Sequence, residues 1–88
     1  MQYTIVVYRE PDGSYSVAVP ALKGCHTCGD TLPEAIQMAE EAISGYVECL
    51  KARDLPVPKN AASVRVDTKL SPEAMVYLLD IGEPVPVA

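Results

Sequence analysis

Between Leu32 and Leu50, apolar residues recur every three or four positions: Leu32, Ala35, Ile36, Ala39, Ala42, Ile43, Tyr46, Val47 and Leu50. That period belongs to an α-helix with one buried face. Glu34, Gln37, Glu41, Ser44, Glu48 and Lys51 fall on the opposite side. The start is written into Thr31-Leu32-Pro33-Glu34. Thr31 can cap a free backbone N–H, and Glu34 three residues on can reach back to it. Pro33 sits in the first turn, where its missing N–H costs little. Asp30 and Glu34 suit the positive end of the helix dipole. The helix should end near Arg53, ahead of Leu55-Pro56-Val57-Pro58. A stripe this long and one-sided needs a second layer to cover it, and 88 residues make a single small domain.

The residues before the helix supply that layer. Gln2–Arg9 reads as a strand with Tyr3, Ile5 and Val7 on one face and Thr4, Val6 and Tyr8 on the other. Both faces are largely apolar, which predicts a central position in its sheet. Glu10-Pro11-Asp12-Gly13 is a turn, since Pro fixes one backbone angle and Gly permits a positive one. Ser14–Val19 is the second strand of an antiparallel hairpin. Pro20 ends its pairing, Gly24 allows a bend, and Cys25–Cys28 makes a short third strand. After the helix, Ala62–Asp67 alternates Ala62, Val64 and Val66 with Ser63, Arg65 and Asp67, which predicts a fourth strand. It would return by crossing over the helix, right-handed if it lies parallel to its neighbour. Ser71-Pro72-Glu73 then reads as the start of a short helix carrying Met75, Val76, Leu78 and Leu79 and ending near Gly82. The expected architecture is α+β, ordered β-β-β-α-β in two layers. Residues 1–68 form the domain, and 69–88 form a short helix with an extended tail.

Charge and cysteine content narrow the function. The net charge of −5 is spread along the chain with no acidic tail, which argues against nucleic acid as the main ligand and allows a basic partner. No apolar run approaches a membrane span, and the N-terminus lacks a signal-peptide layout. Three cysteines are poor arithmetic for a disulfide framework, so a cytoplasmic protein with reduced thiols is expected.

Cys25-His26-Thr27-Cys28 has the spacing of a dithiol redox centre. Such a centre needs an acidified thiol at a helix start, whereas both thiols here precede Gly29-Asp30-Thr31 and Asp30 would raise a nearby thiol. The same stretch could offer Cys25, His26 and Cys28 to zinc with Cys49 as a fourth ligand. Cys25 and His26 point to opposite faces of a strand, which spoils convergence. His26 is the only histidine and has no nucleophile–carboxylate arrangement beside it. Asp67 alone on its strand is too little for two-metal catalysis. Neither a catalytic residue, a metal ligand nor a cofactor site is expected.

The ordered set around the thiols is more telling than the thiols. A strand, the turn Asp12-Gly13-x-Tyr15, a strand ending in Pro20, then Leu22-x-Gly24-Cys25-x-Thr27-x-Gly29-Asp30-Thr31-x-x-Glu34-Ala35 and an Ala/Glu-rich helix together resemble the HicB antitoxin domain. The resemblance covers about Tyr3 to Pro58 and takes in the expected strand to Asp67. It implies a partial ribonuclease-H-like fold without the nuclease's active site. It also implies a role as antitoxin to HicA, a small basic RNA-cleaving toxin, and assembly into dimers or tetramers. Cys28 falls where the family is variable. Lys23 stands where the family often has Pro, and Pro33 where it often has Glu. Many members append a DNA-binding segment that residues 70–88 do not provide, so DNA is not an expected ligand.

The expected function is therefore binding: neutralisation of a HicA-like toxin by a non-enzymatic module. The alternative is an orphan domain of this fold serving as an oligomeric scaffold or ligand-binding protein. Candidate partner contacts fall in two groups. Glu34, Glu41 and Glu48 form a strip at seven-residue spacing, which is either an ordinary solvated face or a surface for a basic partner. Met75, Leu78 and Leu79, with Val76, are too apolar for a free tail and must dock on this chain or another.

Overall fold

The computed structural model describes residues 2–60 and 74–81. They form one four-stranded antiparallel sheet with a long helix on one face: β1 (Gln2–Arg9), β2 (Tyr15–Ala18), β3 (His26–Gly29), α1 (Leu32–Ala52) and β4 (Met75–Asp80), in sheet order β3-β2-β1-β4. β1 lies inside the sheet, as its two apolar faces predict. Its register pairs Val7 with Val17 of β2 and with Met75 of β4.

The β1–β2 hairpin closes over a three-residue loop. The Glu10 N–H donates to the Ser14 carbonyl at 2.8 Å, and the Gly13 N–H to the Glu10 carbonyl at 3.0 Å. Gly13 has φ +90°, which a side chain resists. Asp12 accepts from the Ser14 N–H and hydroxyl at 2.9 and 2.6 Å. The corner after β2 is interlocked by its backbone: Leu22 N–H to the Val19 carbonyl, Cys25 N–H to the Leu22 carbonyl, and Val19 N–H to the Cys25 carbonyl. It turns Leu22 inward, where the side chain is fully buried.

Helix α1 begins as expected, with the Thr31 hydroxyl accepting the Glu34 N–H at 3.2 Å and a proline in the first turn. Its end comes before the prolines. Asp54 takes a left-handed conformation, φ 56°. The Leu55 N–H then bonds the Leu50 carbonyl at 2.8 Å, and the Asp54 N–H the Lys51 carbonyl at 3.1 Å. This pair of bonds is a Schellman stop, a device that satisfies the last free carbonyls of a helix.

Ala35, Ala39, Ile43 and Val47 are the buried residues of the helix. They pack with Tyr3, Ile5, Val7, Val17, Val19, Leu22, Cys25 and Ile81 in one core between sheet and helix. Small alanines at the N-terminal end let α1 approach the sheet closely. A Cβ built on Gly29 would stand 2.5 Å from the Ala35 backbone nitrogen. Beyond the helix the chain returns along β1: the Tyr3 hydroxyl donates to the Pro58 carbonyl, and the Asn60 side chain bonds both the backbone N–H and the hydroxyl of Thr4.

One expectation is corrected. Met75, Val76, Leu78 and Leu79 belong to a strand and not to a short C-terminal helix. Their spacing fits a helical face, but Met75, Tyr77 and Leu79 sit opposite Val7, Ile5 and Tyr3 of β1 and lean on the same core. Pairing with a central strand that is apolar on both faces outweighs the helical spacing. This fourth strand is antiparallel to β1. The strand expected at Ala62–Asp67, the cap at Ser71-Pro72 and the boundary after residue 68 lie outside the described residues.

Candidate functional site

The thiol stretch is divided by the sheet. Cys25 is buried in the core, and burial pushes its thiol above the ordinary value. His26 and Cys28 are exposed on the face turned away from α1, beside Ala18 and Ser16 of β2. Cys49 is exposed on the helix. The structure therefore does not bring Cys25, His26, Cys28 and Cys49 together. Among the described residues, no group of three or more His, Cys, Asp or Glu side chains could hold a metal ion.

Two shallow clefts flank the helix end. One, of about 340 Å³, is lined by Gln2, Tyr3, Val57, Pro58, Lys59 and Asn60. The other, of about 210 Å³, is lined by Tyr46, Cys49, Leu50, Arg53 and Leu55. Neither lining contains a carboxylate or an imidazole, the usual carriers of proton-transfer chemistry. The Tyr46 hydroxyl donates to the Lys23 carbonyl at 2.8 Å and ties the β2–β3 corner to the helix.

The two groups of candidate contact residues occupy different layers. Glu34, Glu41 and Glu48 are all exposed on α1, with Glu40 beside them. Lys51, in the last turn, is the helix's only basic residue. Met75 and Leu79 face the helix side of the sheet and are half-buried against the core. Leu78 lies on the opposite face, as does Val76. Val76 and Leu78 are 52% and 57% exposed. Burial alternates along Met75–Asp80, but the residues from Met75 to Leu79 are apolar throughout, so no alternation of residue type in the sequence separates Val76 and Leu78 from Met75 and Leu79.

No helix among the described residues is long and apolar enough to cross a membrane.

Comparison with known proteins gives a consistent picture. Residues 3–82 match the family model described as the HicB-like antitoxin of bacterial toxin–antitoxin systems. The UPF0150 protein ssr1765 of Synechocystis is 49% identical over 63 residues, which are 72% of this chain and 80% of that protein. The N-terminal domain of the Burkholderia pseudomallei antitoxin HicB superposes with a TM-score of 0.73 at 29% identity, covering 94% of this chain and all of that one. A chain of a HicA3–HicB3 toxin–antitoxin complex shares the fold, with a TM-score of 0.69 at 23% identity over 94% of this chain.

Proposed function

This chain belongs to the HicB-like antitoxins of bacterial toxin–antitoxin systems, and we propose that it neutralises a small, basic, HicA-like RNase toxin by covering the toxin's RNA-contacting surface. The observation that carries this reading is the family match over residues 3–82, nearly the whole chain. The chemistry of the surface supports it. The chain carries a net charge of −5, and the exposed side of α1 presents Glu34, Glu40, Glu41 and Glu48 before its first basic residue. An RNA-cleaving partner needs clustered Lys and Arg to hold phosphates, and an acidic protein competes for that surface.

The chain acts as a binder and not as a catalyst. Glu34, Glu41, Glu48 and Leu78 are exposed and available for contact, while Met75 and Leu79 back the strand that presents Leu78. It works in the cytoplasm, where its toxin meets RNA, and as a dimer or tetramer.

Co-expression with a HicA-like toxin from the same genome tests the proposal. A complex that elutes together on size exclusion at near-equimolar ratio is expected. Separate elution of the two proteins, both folded, contradicts the proposal and favours an orphan domain.

A further inference from the structure

The outer side of α1 carries two rows of residues. Glu34, Glu41 and Glu48 repeat every seven positions, and so do Met38, Gly45 and Ala52 beside them; all are exposed. Residues three and four apart share one side of a helix, so the two rows form a single seam opposite the buried Ala35, Ala39, Ile43 and Val47. One row is acidic and the other small or apolar. Gly45 is the member that the fold does not explain. Glycine is the poorest helix former after proline, because its backbone has the most freedom to lose. A positive φ or close packing usually accounts for one inside a helix. Gly45 has no positive φ, and a Cβ built on it meets nothing within 4 Å among the described residues. Gly29 is the contrast, since a Cβ there would strike the Ala35 backbone. At Gly45 the missing side chain opens the helix backbone to something outside the chain.

Charge selects what can lie there. Glu41 stands four residues before Gly45 and Glu48 three after it, so carboxylates flank the bare backbone on both sides. No described residue forms an ion pair with Glu34, Glu41 or Glu48. A second copy of this chain would bring the same glutamates to the seam, and a nucleic acid would bring phosphates, so both are repelled. A protein surface bearing Lys or Arg is attracted.

We infer that an element of the toxin crosses α1 at Gly45, lying against the bare helix backbone with Lys or Arg on either side reaching Glu41 and Glu48. The inference rests on the antitoxin reading and chooses the helix over Met75, Leu78 and Leu79 as the place of contact. Close approach at the glycine excludes water from the crossing, which strengthens the charge pairs beside it. The glycine therefore weakens the free helix and serves the complex.

The test pairs thermal melting of the free chain with calorimetric binding of a HicA-like toxin from the same genome. Three forms are compared: wild type, Gly45→Gln and Glu41→Gln/Glu48→Gln. Gly45→Gln should melt above wild type, because glutamine is the better helix former, and yet bind the toxin about 30-fold more weakly, because its side chain fills the crossing. A role confined to the fold would not move stability and affinity in opposite directions. Glu41→Gln/Glu48→Gln should weaken binding by about 10-fold and flatten its dependence on salt. Binding like that of wild type by either variant overturns the inference and leaves the antitoxin reading standing. A lower melting temperature for Gly45→Gln also overturns it, because the fold itself then requires the glycine. Failure of the wild type to bind removes the antitoxin reading, and this inference with it.

Discussion

Gly29 fixes how closely the helix can lie on the sheet. A methyl group there would press on the Ala35 backbone, which cannot rotate away as a side chain could. Gly29→Ala should therefore destabilise the fold by about 1–3 kcal/mol, read as a lower midpoint in urea. The cysteines differ at the same scale. Cys25 is buried with a raised thiol, while Cys28 and Cys49 are exposed. Under native conditions an aromatic disulfide reagent should label Cys28 and Cys49 quickly and Cys25 only on unfolding. Equal labelling of all three would contradict the core placement. Strand parity alone puts Cys25 and His26 on opposite faces, and in the structure Cys25 is buried while His26 is exposed. The contact between Gly29 and Ala35 was not legible, because a glycine in a sequence does not name the backbone it must admit.

Helix α1 has two ends built by different means. Thr31 caps the start through its hydroxyl, and Thr31→Ala should cost about 1 kcal/mol. At the other end Asp54 holds a left-handed backbone that a Cβ disfavours. Asp54→Gly should raise stability by about 0.5 kcal/mol, seen as a higher melting temperature with unchanged helical signal. The cap was readable because side-chain oxygens at a helix start have a recognisable spacing. The Schellman stop was not, because the residue in the left-handed position is Asp and the prolines further on gave a louder signal. β4 escaped for a related reason. Met75, Val76, Leu78 and Leu79 fit a helix by spacing, and only the two-sided apolar strand beside them made the extended form better.

For the whole molecule, pH acts through groups whose protonation differs between folded and unfolded chains. Burial raises the Tyr3 phenol and the Cys25 thiol, so both are held neutral in the fold. Their contribution is fully present below the unfolded values, 10.0 and 9.0, and is lost as pH rises through the higher folded values. Asp12 runs the other way. Its two bonds from Ser14, the hydroxyl first, lower it below 3.8, so its contribution is present above that value and lost as pH falls through the lower folded one. The melting temperature should be flat between roughly pH 5 and 8 and fall above about pH 9. A melting temperature that rises into alkali would contradict the burial of Tyr3 and Cys25. Family membership was legible in the order of small motifs from Asp12-Gly13 to Glu34-Ala35, and the antitoxin family model matches residues 3–82. The division of the apolar segment Met75–Leu79 between two faces was not, because Leu78 and Leu79 are neighbours in sequence and lie on opposite faces of the sheet.

The central claim is that this chain silences an RNase by binding it. The most direct measurement titrates the purified chain into an RNA-cleavage assay of a HicA-like toxin from the same genome. Cleavage should stop near one equivalent, and added salt should restore it as the charge attraction is screened. Cleavage that continues at full rate with a folded chain in large excess would contradict the account.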